Sequence, residues 1–292
     1  MTTRRQHDRK LVESMAESMD LGALFDIRGQ TAVVTGGSGV LGRAMSLGLG
    51  AAGARVAVLG RHVEACERVA QAIRAAGGDA TGVTCDVLDR ASIERAARTV
   101  SASLGHVDIL VNAAGGNAPK ATTSADCSFF DLDERAIDDV VRLNLNGTIT
   151  CCQVFGRAMA ARGAGSIVNI ASMNAIRPLT RIPAYSASKA AVVNFTQWLA
   201  VHMAQEYDPR IRVNALAPGF FLTEQNRFLL TDEETGAWTA RGAAIVSHTP
   251  AGRLGAPDDL VGALIWLVSP AASFVTGAVI PIDGGFAAYS GV

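Results

Sequence analysis

A short apolar run, Thr31-Ala-Val-Val-Thr35, leads directly into Gly36-Gly37-Ser38-Gly39-Val40-Leu41-Gly42 and then into a stretch with helical periodicity. A strand that ends in glycines and opens a helix constrains this fold more than any other feature of the chain. It is the first turn of a β-α-β unit, where missing side chains let backbone amides approach an anion at a helix N-terminus. The pattern repeats downstream. Strand-like runs at 55–59, 80–85, 107–111, 166–170, 211–216 and 279–282 alternate with helical stretches at 63–76, 89–104, about 133–162 and 185–207. A last helix opens at Pro257-Asp258-Asp259, with proline at its first position and acids in its first turn. Strands separated by helices predict an α/β fold with a parallel sheet of about seven strands and helices on both faces.

No linker or shift of composition splits the 292 residues, so one domain is expected over 23–292, behind a polar N-terminal extension at 1–22. The stretch 222–255 fits the alternation poorly and reads as an insertion, a lid over the site. Net charge is −1, which argues against a nucleic-acid or anionic-membrane partner. No apolar run approaches the ~20 residues that cross a bilayer. The first twenty residues have no apolar core of the kind a secretion signal needs. Five cysteines with no C-x-x-C pair point to inert thiols in a reducing cytoplasm. The five histidines are scattered, so no metal site is expected.

Tyrosine and lysine each occur only three times, yet one pair stands four residues apart in Tyr185-Ser-Ala-Ser-Lys189. Chance would place roughly 0.03 such pairs in a chain of this composition. Four residues is one helical turn, so both side chains enter the same space. An ammonium beside a phenol favours the phenolate and lowers its pKa, which makes a proton donor or acceptor for neutral pH. Arginine supplies 23 of the 26 basic residues. A retained lysine therefore suggests a need for a compact point charge, which singles out Lys189 and Lys120. At the end of the second strand an acid would read the ribose hydroxyls of NAD. Gly60-Arg61 stands there instead, which favours the 2′-phosphate of NADP over NAD.

At this point the chain resembles the short-chain dehydrogenases/reductases over about residues 28–287. Ser172 stands thirteen residues before Tyr185 in Val-Asn-Ile-Ala-Ser172, Asn112-Ala-Ala-Gly115 follows the fourth strand, and Asn144 lies in Leu-Asn-Leu-Asn-Gly147. Cys85-Asp86-Val87 and Pro218-Gly219 with Thr223 complete the series. One departure is Val40, where the family's loop carries its penultimate glycine. The resemblance implies a Rossmann-type doubly wound sheet and a catalytic set of Ser172, Tyr185, Lys189 and Asn144. In it Tyr185 moves the proton, Ser172 steadies the substrate oxygen, Lys189 holds the nicotinamide ribose, and Asn144 keeps a water behind Lys189. It also implies cofactor contacts from Gly36, Ser38, Gly39, Leu41, Gly42, Arg61, Asp86, Val87, Asn112, Ala113, Tyr185, Lys189, Pro218, Gly219, Phe221 and Thr223.

Three loops (115–123, 172–185 and 218–227) and the C-terminal segment 283–292 look like those of the D-mannonate oxidoreductases (fructuronate reductases) within this family. A sugar acid needs a cation for its carboxylate and amides or hydroxyls for its own hydroxyls. Asn117, Lys120, Asn174 and Arg177 are the candidate substrate residues, and Gln225, Asn226 and Arg227 lie in the same loops. Two other readings stand beside this one. One is a reductase of another keto-acid, polyol or 3-oxoacyl substrate; the other is a catalytically silent dinucleotide sensor, against which the intact Ser172, Tyr185 and Lys189 argue. Relatives of this kind are usually homotetramers, and a homo-oligomer is expected.

Overall fold

Small and β-branched residues build seven strands: β1 (Thr31–Thr35), β2 (Arg55–Gly60), β3 (Asp79–Thr84), β4 (Ile109–Asn112), β5 (Gly165–Ile170), β6 (Ile211–Pro218) and β7 (Val279–Ile282). The structure is a computed structural model that describes residues 20–222, 227–232 and 235–291. All strand pairs are parallel, in the order β3-β2-β1-β4-β5-β6-β7. From β1 the polypeptide first builds outward through β2 and β3, then returns to the other side with β4. The carboxyl ends of β1 and β4 therefore flank the switch point where ligands bind in such sheets.

The helices are α1 (Leu21–Leu24), α2 (Val40–Ala51), α3 (Val63–Ala75), α4 (Arg90–Leu104), α5 (Glu134–Val141), α6 (Gly147–Arg162), α7 (Pro183–Glu206), α8 (Arg227–Leu230), α9 (Ala240–His248) and α10 (Val261–Val268). Alternate strand residues face opposite layers. Val34, Val58 and Val111 pack with Leu49 of α2, Ile73 of α3 and Leu264 of α10. Val33, Leu59 and Leu110 pack with Val100 of α4, Phe155 of α6 and Leu199 of α7. Both faces are covered, which is why β1 reads as a continuous apolar run rather than an alternating one.

Two expectations need correction. The helix anticipated at 133–162 is broken by a π turn at Arg142–Asn146, between α5 and α6. There the Asn144 amide donates to the Val140 carbonyl at 2.8 Å, a side-chain bond that competes with the helical backbone ladder at the wider turn. The helix opening at Pro257 starts as a 3-10 turn, Pro257–Leu260, before α10. There the Asp259 carboxylate accepts the Ala256 N–H at 2.8 Å and also meets Arg253 at 2.6 Å.

Within 222–255 the described residues form α8, a bridge between Thr231 and Trp238, and α9, which Thr239 caps by accepting the Gly242 N–H at 3.1 Å. The end of α9 is fixed to the C-terminal segment by aromatic contacts. His248 lies 4.7 Å from Phe286 and 5.0 Å from Tyr289, ring centre to ring centre. Of the expected N-terminal extension, residues 1–19 lie outside the described residues, and Asp20 caps α1. No helix among the described residues is long and apolar enough to cross a membrane.

Candidate active site

The loop after β1 is shaped by two glycines that no other residue could replace in place. Gly36 has φ +61°, and a Cβ there would lie 2.8 Å from the Ala114 backbone; one on Gly42 would lie 2.2 Å from the Gly36 carbonyl oxygen. The Thr35 hydroxyl accepts the Ala113 and Ala114 N–H groups at 3.2 Å and ties this loop to the turn after β4. Gly39 is the N-cap of α2 and provides no side-chain cap, so the first-turn amides are left for a ligand. Val40 occupies the first helical position. The close approach falls at Gly42, which explains why a valine is tolerated at the departure from the family loop.

A cleft of about 620 Å³ opens over this turn. Gly36, Ser38, Gly39, Leu41, Gly42, Arg61, Asp86, Val87 and Ala113, all among the expected cofactor contacts, line it. A bare helix N-terminus for the phosphates and an exposed arginine at the end of β2 together fit a dinucleotide.

Several expected contacts fall elsewhere. Asn112 does not line that cleft: its amide donates to Asn169 Oδ1 at 2.9 Å and to Cys152 Sγ at 3.2 Å, inside the sheet. Asn169 in turn donates to Thr196 of α7 at 2.9 Å. This buried polar chain across β4, β5 and α7 has only one trace in the sequence, two asparagines within apolar strands. Phe221 is buried in the core, its ring pressed against Gly255. Pro218 and Gly219 sit where β6 meets β7, and the Gly219 N–H donates to the Ile282 carbonyl at 2.9 Å. Thr223, with Gln225 and Asn226, lies outside the described residues.

Pro183 starts α7 at a position where a missing N–H is harmless, and this sets Tyr185 in the first turn and Lys189 one turn on. Ser172 stands two residues beyond the end of β5, beside the Tyr185 phenol. The Ser172 hydroxyl oxygen accepts the Asn174 N–H at 3.2 Å. Lys189 is 4% exposed, donates to the Ile170 carbonyl at 2.7 Å, and its Nζ lies 5.6 Å from the centre of the Tyr185 ring. Burial pulls Lys189 down to about 8. Burial pushes the Tyr185 phenol up, and the Ser172 hydrogen bond works against that. This corrects the expectation that the phenol is already acidic: desolvation is the larger influence on it, and the lysine directs a proton at Ile170.

Asn144 is wholly buried in the π turn. It accepts the Gly116 N–H at 3.1 Å and donates to the Gly116 carbonyl at 2.7 Å as well as to Val140. Both of its amide protons are committed to backbone carbonyls, whereas Oδ1 accepts only the Gly116 N–H and keeps a second lone pair for another donor. The turn after β4 brings the parts together: a Cβ on Gly115 would lie 2.7 Å from Asn144 Oδ1 and 3.2 Å from Lys189 Nζ. Of the predicted substrate residues, Asn174 is buried beside Ser172, whereas Asn117, Lys120 and Arg177 are exposed. Asn117 donates to Thr122 at 2.8 Å. Burial pushes the thiols of Cys85 and Cys152 up to about 12, which leaves them without nucleophilic character.

Residues 30–234 match the short chain dehydrogenase family. The chain is 47% identical over 276 residues to the uncharacterized oxidoreductase UxuB of Bacillus subtilis (strain 168), covering 91% of this chain and 98% of that protein. Its structure resembles that of a Haemophilus influenzae protein provisionally assigned as a D-mannonate oxidoreductase, which holds bound NAD. There the TM-score is 0.86 and identity 41%, covering 94% of this chain and 100% of the other. A gluconate 5-dehydrogenase from Burkholderia cenocepacia J2315, in complex with NADP and tartrate, matches with TM-score 0.82 and 32% identity over 92% of this chain and 100% of that one. The family match spans both the glycine turn after β1 and the segment from Ser172 to Lys189, and the protein belongs to the short chain dehydrogenase family, whose members are NAD(P)-dependent oxidoreductases acting on CH–OH groups.

Proposed function

We propose that this protein interconverts D-fructuronate and D-mannonate, or a closely related keto sugar acid and its alcohol, with NADP preferred over NAD. The observation that carries the reaction type is the meeting of Ser172, Tyr185 and Lys189 at the end of β5 and the start of α7. Bound nicotinamide supplies or accepts the hydride. Ser172 has its oxygen engaged by the Asn174 N–H, so its one proton is available to a substrate oxygen. Tyr185 gives that oxygen a proton in reduction and takes one in oxidation. Lys189 and Tyr185 hold the ribose of the nicotinamide half, and the α2 N-terminus takes the pyrophosphate.

The substrate reading draws support from the likeness to the Haemophilus protein and from the amide- and cation-bearing loops around Asn117, Lys120, Asn174 and Arg177. The likeness to a gluconate 5-dehydrogenase favours a 5-ketogluconate-type acid as the second reading. NADP preference rests on Gly60, Arg61 and His62 at the mouth of the cleft, with no acid at the end of β2. A homotetramer fits the exposed Trp198, Val201 and Tyr207 on α7 and just beyond it. Four buried free thiols and one half-buried fit a reducing, cytoplasmic setting.

Rates of NADPH and NADH oxidation with D-fructuronate, 5-ketogluconate, simple keto-acids and 3-oxoacyl thioesters test this reading. A kcat/KM for fructuronate at least about tenfold above the others is expected. Cofactor binding with no turnover on any of these carbonyls would mark a sensor instead.

A further inference from the structure

The turn that follows β7 is held more firmly than the end of a chain needs. The Asp283 carboxylate accepts the Gly285 and Ala287 N–H groups at 2.9 and 2.8 Å, and Gly284 and Gly285 take φ of +64° and +88°. Just beyond this turn the Phe286 ring lies between two others, 5.2 Å from Phe220 and 4.7 Å from His248, both edge to face. Phe220 stands two residues after β6, and His248 ends α9. Phe286 also packs on a small core, separate from those of the sheet, formed by Leu230 of α8, Ile245 of α9 and Leu254. Beside it the Ala251 N–H donates to the Gly284 carbonyl at 3.0 Å. One ring thus joins the root of the segment that carries α8 and α9 to the far end of that segment.

That segment leaves the sheet beside the reaction. β6 is the neighbour of β5, with Leu216 opposite Ile170, the residue whose carbonyl accepts from Lys189. All strands are parallel, so the polypeptide emerges from β6 at the same end of the sheet as Ser172 does from β5, where such sheets bind their ligands. We infer that Phe286 is a positioning residue: its ring holds α8 and α9 against the residues after β6, and so sets substrate affinity without touching the substrate. A core of three buried side chains is a weak cooperative unit, so loss of one ring displaces these helices before it affects the sheet. Binding then falls with the fraction of molecules that have the helices in place, whereas a molecule that has bound substrate reacts at its ordinary rate. The dinucleotide is held elsewhere: the Gly219 N–H is tied to Ile282, and Arg61 follows β2 on the other half of the sheet. This inference rests on the carbonyl-reducing reading above, but not on which carbonyl it is.

Wild type, Phe286→Ala, Phe286→Tyr and His248→Ala are compared on the carbonyl that wild type reduces best. NADPH affinity by fluorescence titration and amide hydrogen exchange are measured on each. Phe286→Ala is expected to raise the substrate KM about tenfold, from the loss of two edge-to-face contacts, with kcat and NADPH affinity within about threefold of wild type. Amides of α9 should lose protection while those of α6 and α7 keep theirs. Phe286→Tyr keeps the ring and should return KM to within about threefold of wild type. Should Phe286→Ala fail to bind NADPH, His248→Ala decides: it cuts the same link from the α9 side and must raise KM in the same way. An unchanged KM, or a loss shared equally by KM, kcat and cofactor affinity, overturns the inference and leaves the reading of the reaction intact. A wild type that reduces no carbonyl overturns both.

Discussion

Lys189 donates to the carbonyl of Ile170 at 2.7 Å, which binds a buried cation to the strand end two residues before Ser172. The cation comes from helix α7 and the serine from the end of β5, so this one bond sets the distance between the two halves of the proton-transfer site. Because the lysine is buried, its charge also destabilises the fold within a defined pH window.

Burial lowers Lys189 from 10.5 to about 8. Below about 8 the folded protein carries the desolvated charge. Between about 8 and 10.5 the unfolded protein holds a proton that the folded one has released, so this group makes stability rise with pH across that window. Lys189→Met should abolish turnover yet stabilise the fold at pH 7 by about 2–3 kcal/mol once the lost bond to Ile170 is subtracted. Denaturant unfolding of both proteins at pH 7 and pH 10 checks this; the advantage of the variant must shrink at the higher pH.

Tyr185→Phe removes the transferable proton but none of the cofactor cleft. A fall in kcat of at least about 100-fold is expected, with NADPH affinity changed less than about threefold. In wild type the raised phenol stays protonated through neutral pH. Carbonyl reduction should therefore be flat around pH 7, and alcohol oxidation should climb as pH rises. Steady-state rates in both directions from pH 6 to 10 decide the matter, and oxidation that declines over that range would contradict it.

Arg61→Ala should weaken NADPH binding by about tenfold or more and leave NADH nearly unchanged, as the loss of one charge-assisted contact predicts. Introducing the acid that reads a free ribose is harder. A Cβ on Gly60 would lie 2.9 Å from Cys66 Sγ and 3.2 Å from Ser38 Oγ. Gly60→Asp combined with Cys66→Ala is therefore the variant expected to favour NADH. The readout is the ratio of kcat/KM for the two cofactors, and an unaltered ratio would remove Arg61 from the 2′-phosphate.

Asn144→Ala strips two partners from Gly116 and one from Val140, all inside the protein. A loss of about 2–4 kcal/mol is expected from the unmatched backbone groups. Hydrogen exchange should show the π turn and the turn at Gly116 opening together, ahead of global unfolding. Protection that persists at Gly116 would assign its support to some other contact.

The strands and helices were within reach of the sequence because each is announced locally: β1 by an apolar run, α2 by the glycines before it, α7 by Pro183 and its periodicity. Ser172, Tyr185 and Lys189 were legible for the same reason, since fixed spacing on a strand end and one helix turn determines where they go. The burial of Asn112 and Phe221 was not legible, because their direction depends on partners far away in the polypeptide, Asn169 and Gly255.

What the amino-acid order determined by itself was the parallel sheet, the glycine turn at Gly36 to Gly42, and the spacing that sets Tyr185 and Lys189 one turn apart on α7. Only the folded structure decided that the helix after residue 133 breaks at Asn144, that Tyr185 is less acidic than its lysine neighbour suggested, and that Asn174 is buried while Lys120 and Arg177 face solvent. Spacing along a chain fixes which side of an element a residue takes. Burial, hydrogen-bond partners and the field at a titrating group are set by what other elements bring to that side, and those arrive from anywhere in the sequence.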